Sequence, residues 1–411
     1  MTFDDTQEEA AFRAEARAWL DRNVPHALHD ALAASAARAT SSVHLPHLPG
    51  IDALAACRAW QRRKYDGGWA CLSWPGAYGG RDASAIQRVI WRQEEGVYGH
   101  LADVFTVGHG IAGPTILAHG TEAQKERYLR PAASGEELWC QLFSEPSGGS
   151  DLAGVRTRAR IDGGHAVNNG QKIWTTHAQI AEFGLLLART DPDVAKHQGL
   201  SMFILDMKLS GIDVRPVRQM TGEATFNAVF FADVRVPLSA MIGKPGDGWR
   251  VAMTSLMNER LSLAAAIPTG VRELIDFCHR FATATGPAID DPAVRARLAT
   301  WAARASGLEY TMMRTISALS AGRAPGPENS IGKLVAGDMV QDIAAFALDL
   351  QGPAGAVLGP DDDARRFQQM FLTSPAVRIG GGTAEIQRNI IAERILGLPS
   401  EPRVDKVPGQ R

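Results

Sequence analysis

Cysteine is scarce in this 411-residue sequence: Cys57, Cys71, Cys140 and Cys278 stand far apart, with no C-x-x-C and no histidine grouping of metal-site spacing. That excludes a disulfide scaffold and a zinc module, and the four read as buried thiols in a reducing compartment. Long apolar runs are missing too, none approaching the ~20 residues of a membrane span. The start, Met1-Thr2-Phe3-Asp4-Asp5, is acidic and lacks a signal-peptide core, so a cytoplasmic location and no membrane are expected. Excess positive charge is absent: the formal net charge is −2 and no Lys/Arg block stands out, which argues against a nucleic-acid partner. No Gly-x-Gly-x-x-Gly follows an early strand and no Walker loop is present, so any nucleotide cofactor must be held in another way.

What is present is ordinary globular material, 45% hydrophobic and 21% charged, in a chain too long for one core. Thr6 followed by Glu9 reads as a capping box, and Phe12, Ala16, Trp19 and Leu20 recur at helical spacing, so a helix opens the chain. Helical character continues to about Ala133, broken by loops at Trp74-Pro75-Gly76 and Tyr78-Gly79-Gly80. From Glu137 the pattern changes to alternation at Leu138, Cys140 and Leu142, with Asp162-Gly163-Gly164 and Asn169-Gly170 supplying hairpin turn chemistry. Strands at Phe183 to Ala188, Met202 to Leu205 and Val229 to Val236 lead up to Pro237. Helical periodicity returns at Trp249 to Ala266, Pro292 to Ser320, Ile331 to Leu350 and Thr383 to Leu396, enough for a bundle. The expected domains are a helical one over 1–135, a β domain over 136–245, a helical bundle over 246–399 and a polar tail over 400–411.

Two segments can carry chemistry. QLFSEPSGGSD, from Gln141 to Asp151, runs a strand into a Pro/Gly/Ser loop rich in backbone and hydroxyl donors, able to approach a polar ring or a phosphate; an ordinary strand-end turn reads the same way. NGQKIWTTH, from Asn169 to His177, puts Trp174 and Thr176 on one face by the period of two. That pair suits a flat redox ring, with the indole packing on it and the hydroxyl bonding a ring nitrogen. Taken alone, Trp174 reads first as a core residue.

Five motifs in register make the chain resemble an acyl-CoA dehydrogenase from Thr6 to about Pro399: GWACLSWPGAYGG from Trp69 to Gly80 with Gly68 ahead of it, FSEPSGGSD from Phe143, KIWTT from Lys172, DVRVP from Asp233, and IGGGTAEIQRNIIAER from Ile379 to Arg394. The resemblance implies a mostly α fold with a central β domain: an N-terminal helical domain, a middle β-barrel and a C-terminal four-helix bundle, assembled as a homotetramer or dimer of dimers. It implies FAD between the β domain and the bundle, an acyl-CoA substrate and an electron-transfer flavoprotein as partner. By motif position Phe143, Ser144, Gly149 and Ser150 resemble flavin contacts, Ser150 also lying near the CoA pantetheine. Trp174 resembles the residue against the isoalloxazine and Thr176 the one bonded near N5. Gln351 and Gly352, with Gly355, resemble a glycine loop that meets the FAD of a neighbouring subunit. Thr383 and Glu385 resemble the helix start near the adenosine diphosphate.

The chemistry needs a carboxylate that takes the α-proton while hydride leaves the β-carbon. In medium- and short-chain members that glutamate immediately precedes the Gly-Thr opening the last helix; here the position is Gly381. A glycine keeps the backbone N–H that helps polarise the thioester carbonyl, so Gly381 can still serve substrate binding. Isovaleryl-CoA and long-chain members carry the glutamate on an earlier helix, one residue before an arginine, and Glu259 followed by Arg260 matches that position. These are the only charged residues from Val251 to Ala266, a setting in which charges are seldom buried unless paired or functional. By pattern alone the pair reads first as a surface charge couple; the loss at Gly381 reverses that and favours Glu259 as the catalytic base, ahead of Glu385. Arg260 resembles an arginine near the CoA or the base.

The family's Arg-x-x-Phe-Gly before the second long bundle helix is missing from Thr285 to Arg295, and Asp349 and Pro353 replace a glutamine and a glycine. Besides a competent dehydrogenase, the sequence therefore leaves open a catalytically silent subunit of a hetero-oligomer, and an acyl-CoA oxidase. A flavin monooxygenase on the same fold is disfavoured, since it gives Glu259 no task.

Overall fold

A computed structural model describes residues 5–38, 45–263, 269–321, 326–357 and 362–400. The chain forms two compact units, Thr2–Leu263 and Ala264–Arg411.

The first unit opens with α1 (Gln7–Asn23), whose start is the expected capping box: Thr6 accepts from Glu9 N, and Glu9 from Thr6 N. Next come α2 (His29–Arg38), α3 (Ala53–Asp66), α4 (Ala85–Glu95), α5 (Gly113–His119) and α6 (Glu122–Ser134), with a 3₁₀ stretch at Gly96–Phe105 and a single π turn at Gly108–Ala112. The helices close over Phe12, Leu20, Trp60, Trp69, Trp91 and Phe105. A buried carboxylate is costly without donors; Glu95 has three, Trp60 Nε1 at 2.9 Å, Trp91 Nε1 at 2.8 Å and Lys64 Nζ at 2.9 Å. Among the described residues no single helix is long and apolar enough to cross a membrane.

The strands are β1 (Trp139–Leu142), β2 (Arg158–Asp162), β3 (His165–Thr176), β4 (Phe183–Arg189), β5 (Leu200–Asp206), β6 (Ile212–Val217), β7 (Phe226–Pro237) and β8 (Met241–Ile242). They make one sheet in the order β6-β7-β3-β2-β4-β5-β8, with β1 alongside β4. Pairing is antiparallel except where β1 and β2 meet β4. Strands β4 and β5 are buried along nearly their whole length, so their sequences read as continuous apolar runs rather than alternation. Asp162-Gly163-Gly164 makes the expected tight hairpin, pairing Asp162 with His165. Asn169-Gly170 does not: it lies inside β3 at a register shift. The Asn169 side chain bonds Asp233 of β7 in both directions, at 2.9 and 3.0 Å. A Cβ on Gly170 would stand 2.7 Å from Thr157 Cα, so the glycine serves close approach within a bulge rather than a turn. Helix α7 (Gly248–Leu263) then packs Val251 and Ala252 into the same core.

The second unit contains α8 (Val271–Arg280), the short hairpin β9 (Ala282–Thr283) and β10 (Gly286–Pro287), then α9 (Pro292–Ser320), α10 (Asn329–Gln351), α11 (Asp362–Ile379) and α12 (Ala384–Arg394). Its core joins Leu274, Phe277, Leu298, Trp301, Ile343 and Phe367. Helices α8 and α11 add to the four helical segments expected from periodicity. The expected extension of α7 to Ala266 and the tail from 401 lie outside the described residues. The 285–295 region that departs from the family motif forms the β9–β10 hairpin and the start of α9, where Arg295 donates to the carbonyls of Ile289 and Asp290.

Replacing Glu95 with leucine leaves Lys64 charged and unpaired at a buried site, and is expected to cost about 3–5 kcal/mol. Arg17→Ala removes only an exposed partner of Glu94 and is expected to shift stability far less than the Glu95 substitution. Urea unfolding of the two variants checks the contrast.

Candidate active site

The loop after β1 is fixed by a buried charge. Glu145 and Gly148 bond each other's backbones at 2.9 and 3.0 Å, folding the Pro146-Ser147 tip into a tight turn. The Glu145 carboxylate turns inward, accepting from Arg156 N at 2.6 Å, Thr157 N at 2.9 Å and Lys172 Nζ at 2.9 Å. Lys172, fully buried on β3, also donates to Phe143 O at 2.9 Å, and Ile173 N donates to Ser144 O at 2.9 Å. Burial pushes the Glu145 carboxyl up, but the Lys172 charge and the N–H donors outweigh it and hold the group below its ordinary value. Burial likewise draws the Lys172 ammonium down, to about 8, against the pull of Glu145. The loop is thereby pinned to β3. Phe143 is buried in the core, Ser144 is half-buried, and Gly149 and Ser150 are exposed.

On β3 the regular ladder assumed for Trp174 and Thr176 is interrupted by a bulge, although the residue between them, Thr175, is buried while both of them are not. The register shifts between Lys172 and Thr175, and Trp174 takes φ +61°, the left-handed region that a bulky residue seldom occupies. Trp174 is 56% exposed, the only one of the nine tryptophans that is exposed, so it is not a core residue. The bulge swings the indole out, edge-on to Phe226 at 6.0 Å. Thr176 stays half-buried, paired with Phe226 across the ladder. Thr175 Oγ1, between them in the chain, is buried without a hydrogen-bond partner.

Helix α7 lies against β5, the π turn at Gly108–Ala112 and α5. Its seat includes two buried hydroxyls, Thr115 Oγ1 and Ser255 Oγ, 2.9 Å apart. One helical turn on from Ser255, Glu259 is half-buried and accepts a hydrogen bond from Gln141 Nε2 at 3.3 Å. Gln141 is on β1, two residues before Phe143. The first unit therefore brings Glu259 to the strand that leads into the pinned loop. Arg260 continues the helix, and its side chain lies outside the described residues.

In the second unit, Gly381 (φ +67°) and Gly382 (φ +96°) form a consecutive left-handed pair that only glycine adopts readily. Gln387 Nε2 donates to Gly381 O at 3.0 Å, and Lys333 Nζ donates to Gly382 O and, at 3.0 Å, to Arg378 O. Thr383 then caps α12, accepting from Ile386 N at 3.2 Å. Glu385 is exposed on the first turn; the backbone N–H at the helix start and the Thr383 hydroxyl hold its carboxyl below the usual value. A carboxyl held ionised in solvent is a poor proton acceptor. Gln351 donates back to Ala347 O at 2.9 Å along its own helix, and Gly352 (φ +56°) turns the chain at the end of α10.

Sequence reasoning missed Gln141 as a partner of Glu259 and the Glu145–Lys172 pair. The pair had a partly legible signal, since Lys172 is the one charge in KIWTT and Glu145 one of two acids in FSEPSGGSD. Gln141 had none, being 118 residues from its partner.

Family models described as acyl-CoA dehydrogenase N-terminal, middle and C-terminal domains match residues 6–136, 140–234 and 246–396. Acyl-CoA dehydrogenase IpdE1 of Mycobacterium tuberculosis is 36% identical over 404 residues, 97% of this chain and 100% of that one. Among solved structures, the Tcur3481-Tcur3483 steroid ACAD superposes with a TM-score of 0.78 at 26% identity, covering 98% of this chain and 100% of that one. The ChsE4-ChsE5 complex from Mycobacterium tuberculosis gives 0.77 at 29% identity, over 98% and 100%.

Lys172→Met removes the cation that offsets the burial of Glu145 and is expected to cost about 3 kcal/mol. The sign with pH follows from the depressed Glu145 value: its contribution is present above the ordinary carboxylate range and is lost as pH falls through the folded-state value. Without Lys172 that loss is expected at higher pH, which acid unfolding of wild type and variant measures.

Proposed function

The chain belongs to the acyl-CoA dehydrogenase family, and from that premise we propose that it oxidises the α,β bond of an acyl-CoA thioester to the trans-2-enoyl-CoA, with Glu259 as the base. The observation that carries the reading is the contact of Glu259 with Gln141 on β1, beside the loop that resembles the family's flavin-binding segment. Glu259 then takes the α-proton, a step in which a positioned base contributes about 10²–10⁴-fold. Exposed Glu385, its carboxyl held low, gives no comparable base.

The residues fit a flavin. Trp174 is an exposed indole held outward by a strained backbone, with the Thr176 hydroxyl at the same end of β3 and Ser144 in the loop bonded to that strand. FAD, when bound, supplies the acceptor for the hydride leaving the β-carbon. Trp174, Thr176, Ser144, Phe143, Gly149 and Ser150 would hold it; by motif position Thr383 and Glu385 are proposed contacts to its adenosine diphosphate, and Gln351 and Gly352 contacts to the FAD of a neighbouring subunit. Ser150, Arg260 and the Gly381 N–H are the proposed substrate contacts, with the amide donating to the thioester carbonyl. Electrons then pass to an electron-transfer flavoprotein. All four cysteines are unbridged, in keeping with a reducing compartment, and we place the enzyme in the cytoplasm. Bulky thioesters are the first to try, because one structural neighbour is named a steroid ACAD.

A second reading is favoured by the missing Arg-x-x-Phe-Gly between Thr285 and Arg295 and by the complex formed by ChsE4 and ChsE5: this chain works as one subunit of a hetero-oligomer that completes the cofactor site. A purified chain that binds no flavin alone, but does so with a related partner chain, establishes this reading over the homotetramer.

Glu259→Gln is expected to keep FAD and acyl-CoA while losing at least ~10²-fold in flavin reduction. Anaerobic mixing with short, branched and steroid-bearing acyl-CoAs, followed by flavin bleaching, measures this and the substrate class together. Trp174→Ala is expected to leave the cofactor-free protein within ~0.5 kcal/mol of wild type, as for an exposed side chain. Its FAD affinity should fall about tenfold, the scale of an aromatic contact; thermal melting and flavin titration read the two effects separately.

A further inference from the structure

We propose that Gln141 is a positioning residue for Glu259, its side-chain amide holding the carboxylate on the β1 side of α7 and following it through both protonation states. The inference rests on the reading of Glu259 as the base, and adds a residue to which no role has yet been given.

The geometry is specific. Gln141 Nε2 donates to Glu259 Oε2 at 3.3 Å across 118 residues of sequence. Neither group is free to wander. Gln141 is held by the β1–β4 ladder, opposite Leu185, with fully buried Cys140 and Leu142 on either side. Glu259 is held by α7, whose preceding turn is anchored by the Ser255–Thr115 hydroxyl pair and by buried Val251 and Ala252. A carboxylate on a half-buried helix face has several rotamers open to it, each partner narrows the choice, and a misplaced base loses much of its effect.

An amide suits this place better than a cation or a second acid. It carries no charge, so it does not fix Glu259 in the ionised state as an arginine would. Its NH₂ donates to the carboxylate; rotated by half a turn, its carbonyl accepts from the protonated acid. A group that gains a proton and later gives it up thus keeps a partner at both stages. The bond to the carboxylate is the stronger of the two because it is charge-assisted. Gln141 therefore biases Glu259 toward the form that accepts the proton.

Other titratable and charged groups on the elements packed against α7 are engaged elsewhere. His109 in the π turn bonds Ala132 O at 2.8 Å, and burial draws its imidazole down to about 4. His119 on α5 bonds Thr254 and Arg250, and Arg250 bonds Asp247, at the other end of α7. Arg189 on β4 donates to the carbonyls of Ala153 and Val155, and Asp206 on β5 accepts from Lys208 N. Arg260 is the charged neighbour on α7 itself.

The test reads Glu259 directly in the full-length holoenzyme. The infrared carboxylic C=O band that titrates with pH in wild type and is lost in Glu259→Gln belongs to Glu259. In Gln141→Leu, which removes the donor, the midpoint of that band is expected to rise by about one pH unit, a tenfold change in the ionisation constant. Gln141→Glu should divide the titration into two coupled steps, the upper one above the Gln141→Leu midpoint, because two adjacent carboxylates resist ionising together. Gln141→Met, unbranched and of similar length, replaces the leucine variant should that one fail to fold. A wild-type midpoint in the leucine or methionine variant overturns the proposal, as does a single unshifted step in Gln141→Glu. The same samples separate the two claims through flavin reduction. Full activity in Glu259→Gln removes the base assignment whatever the infrared shift; lost activity there, with an unmoved midpoint in Gln141→Leu, removes only the positioning role.

Discussion

The buried pair of Lys172 and Glu145 joins the two segments that carry the candidate chemistry. Lys172 reaches from β3 to the loop carboxylate and to the carbonyl of Phe143, while the next residue, Ile173, donates its backbone N–H to the Ser144 carbonyl. Beyond the Pro146 ring and the Glu145–Gly148 turn, a loop of serines and glycines has little stiffness of its own. Its shape comes from a charge that cannot be left unpartnered in a low-dielectric interior. The indole of Trp174 lies two residues beyond the same lysine, so loop and aromatic face share one anchor.

The two candidate carboxylates stand in different local settings. Around Gly381 the chain has given up a side chain and kept a glycine pair whose carbonyls are tied down by Gln387 and Lys333. On α7 the sequence places its one acidic residue where a strand meets a helix, with an amide in reach. A carboxylate at a helix N-terminus, as at Glu385, is stabilised in its charged form by the backbone. One on a mid-helix face is open to control by its neighbours. The proposed base thus stands where local structure does not already decide its protonation.

Much of this was legible in the residues. The capping box at Thr6 and Glu9 and the Asp162-Gly163-Gly164 hairpin depend only on local chemistry, and they appear as read. The helix–strand–helix order, from periodicity alone, holds as well. Asn169-Gly170 misled because a bulge and a turn recruit the same dipeptide, and only the position of β7 chooses between them. The alternation argument for Trp174 and Thr176 did not foresee the bulge before Thr175 for a related reason: an extra residue in a ladder is set by the partner strand and leaves no local mark. Helix α8 is short, and α11 opens on charged residues and contains Pro375, so neither stands out from periodicity. The Gln141–Glu259 contact joins a strand to a helix through tertiary packing, and no local pattern announces it.

The backbone at Trp174 has a further meaning for how such a protein can change over time. A left-handed conformation costs an ordinary residue about 1–2 kcal/mol, and asparagine or glycine less. Substitutions to those residues there relax the strand and strengthen the fold while removing the broad aromatic surface. Drift toward sturdiness and drift toward loss of the ring thus run in the same direction at this position. Keeping tryptophan there means forgoing stability that the strand could easily have.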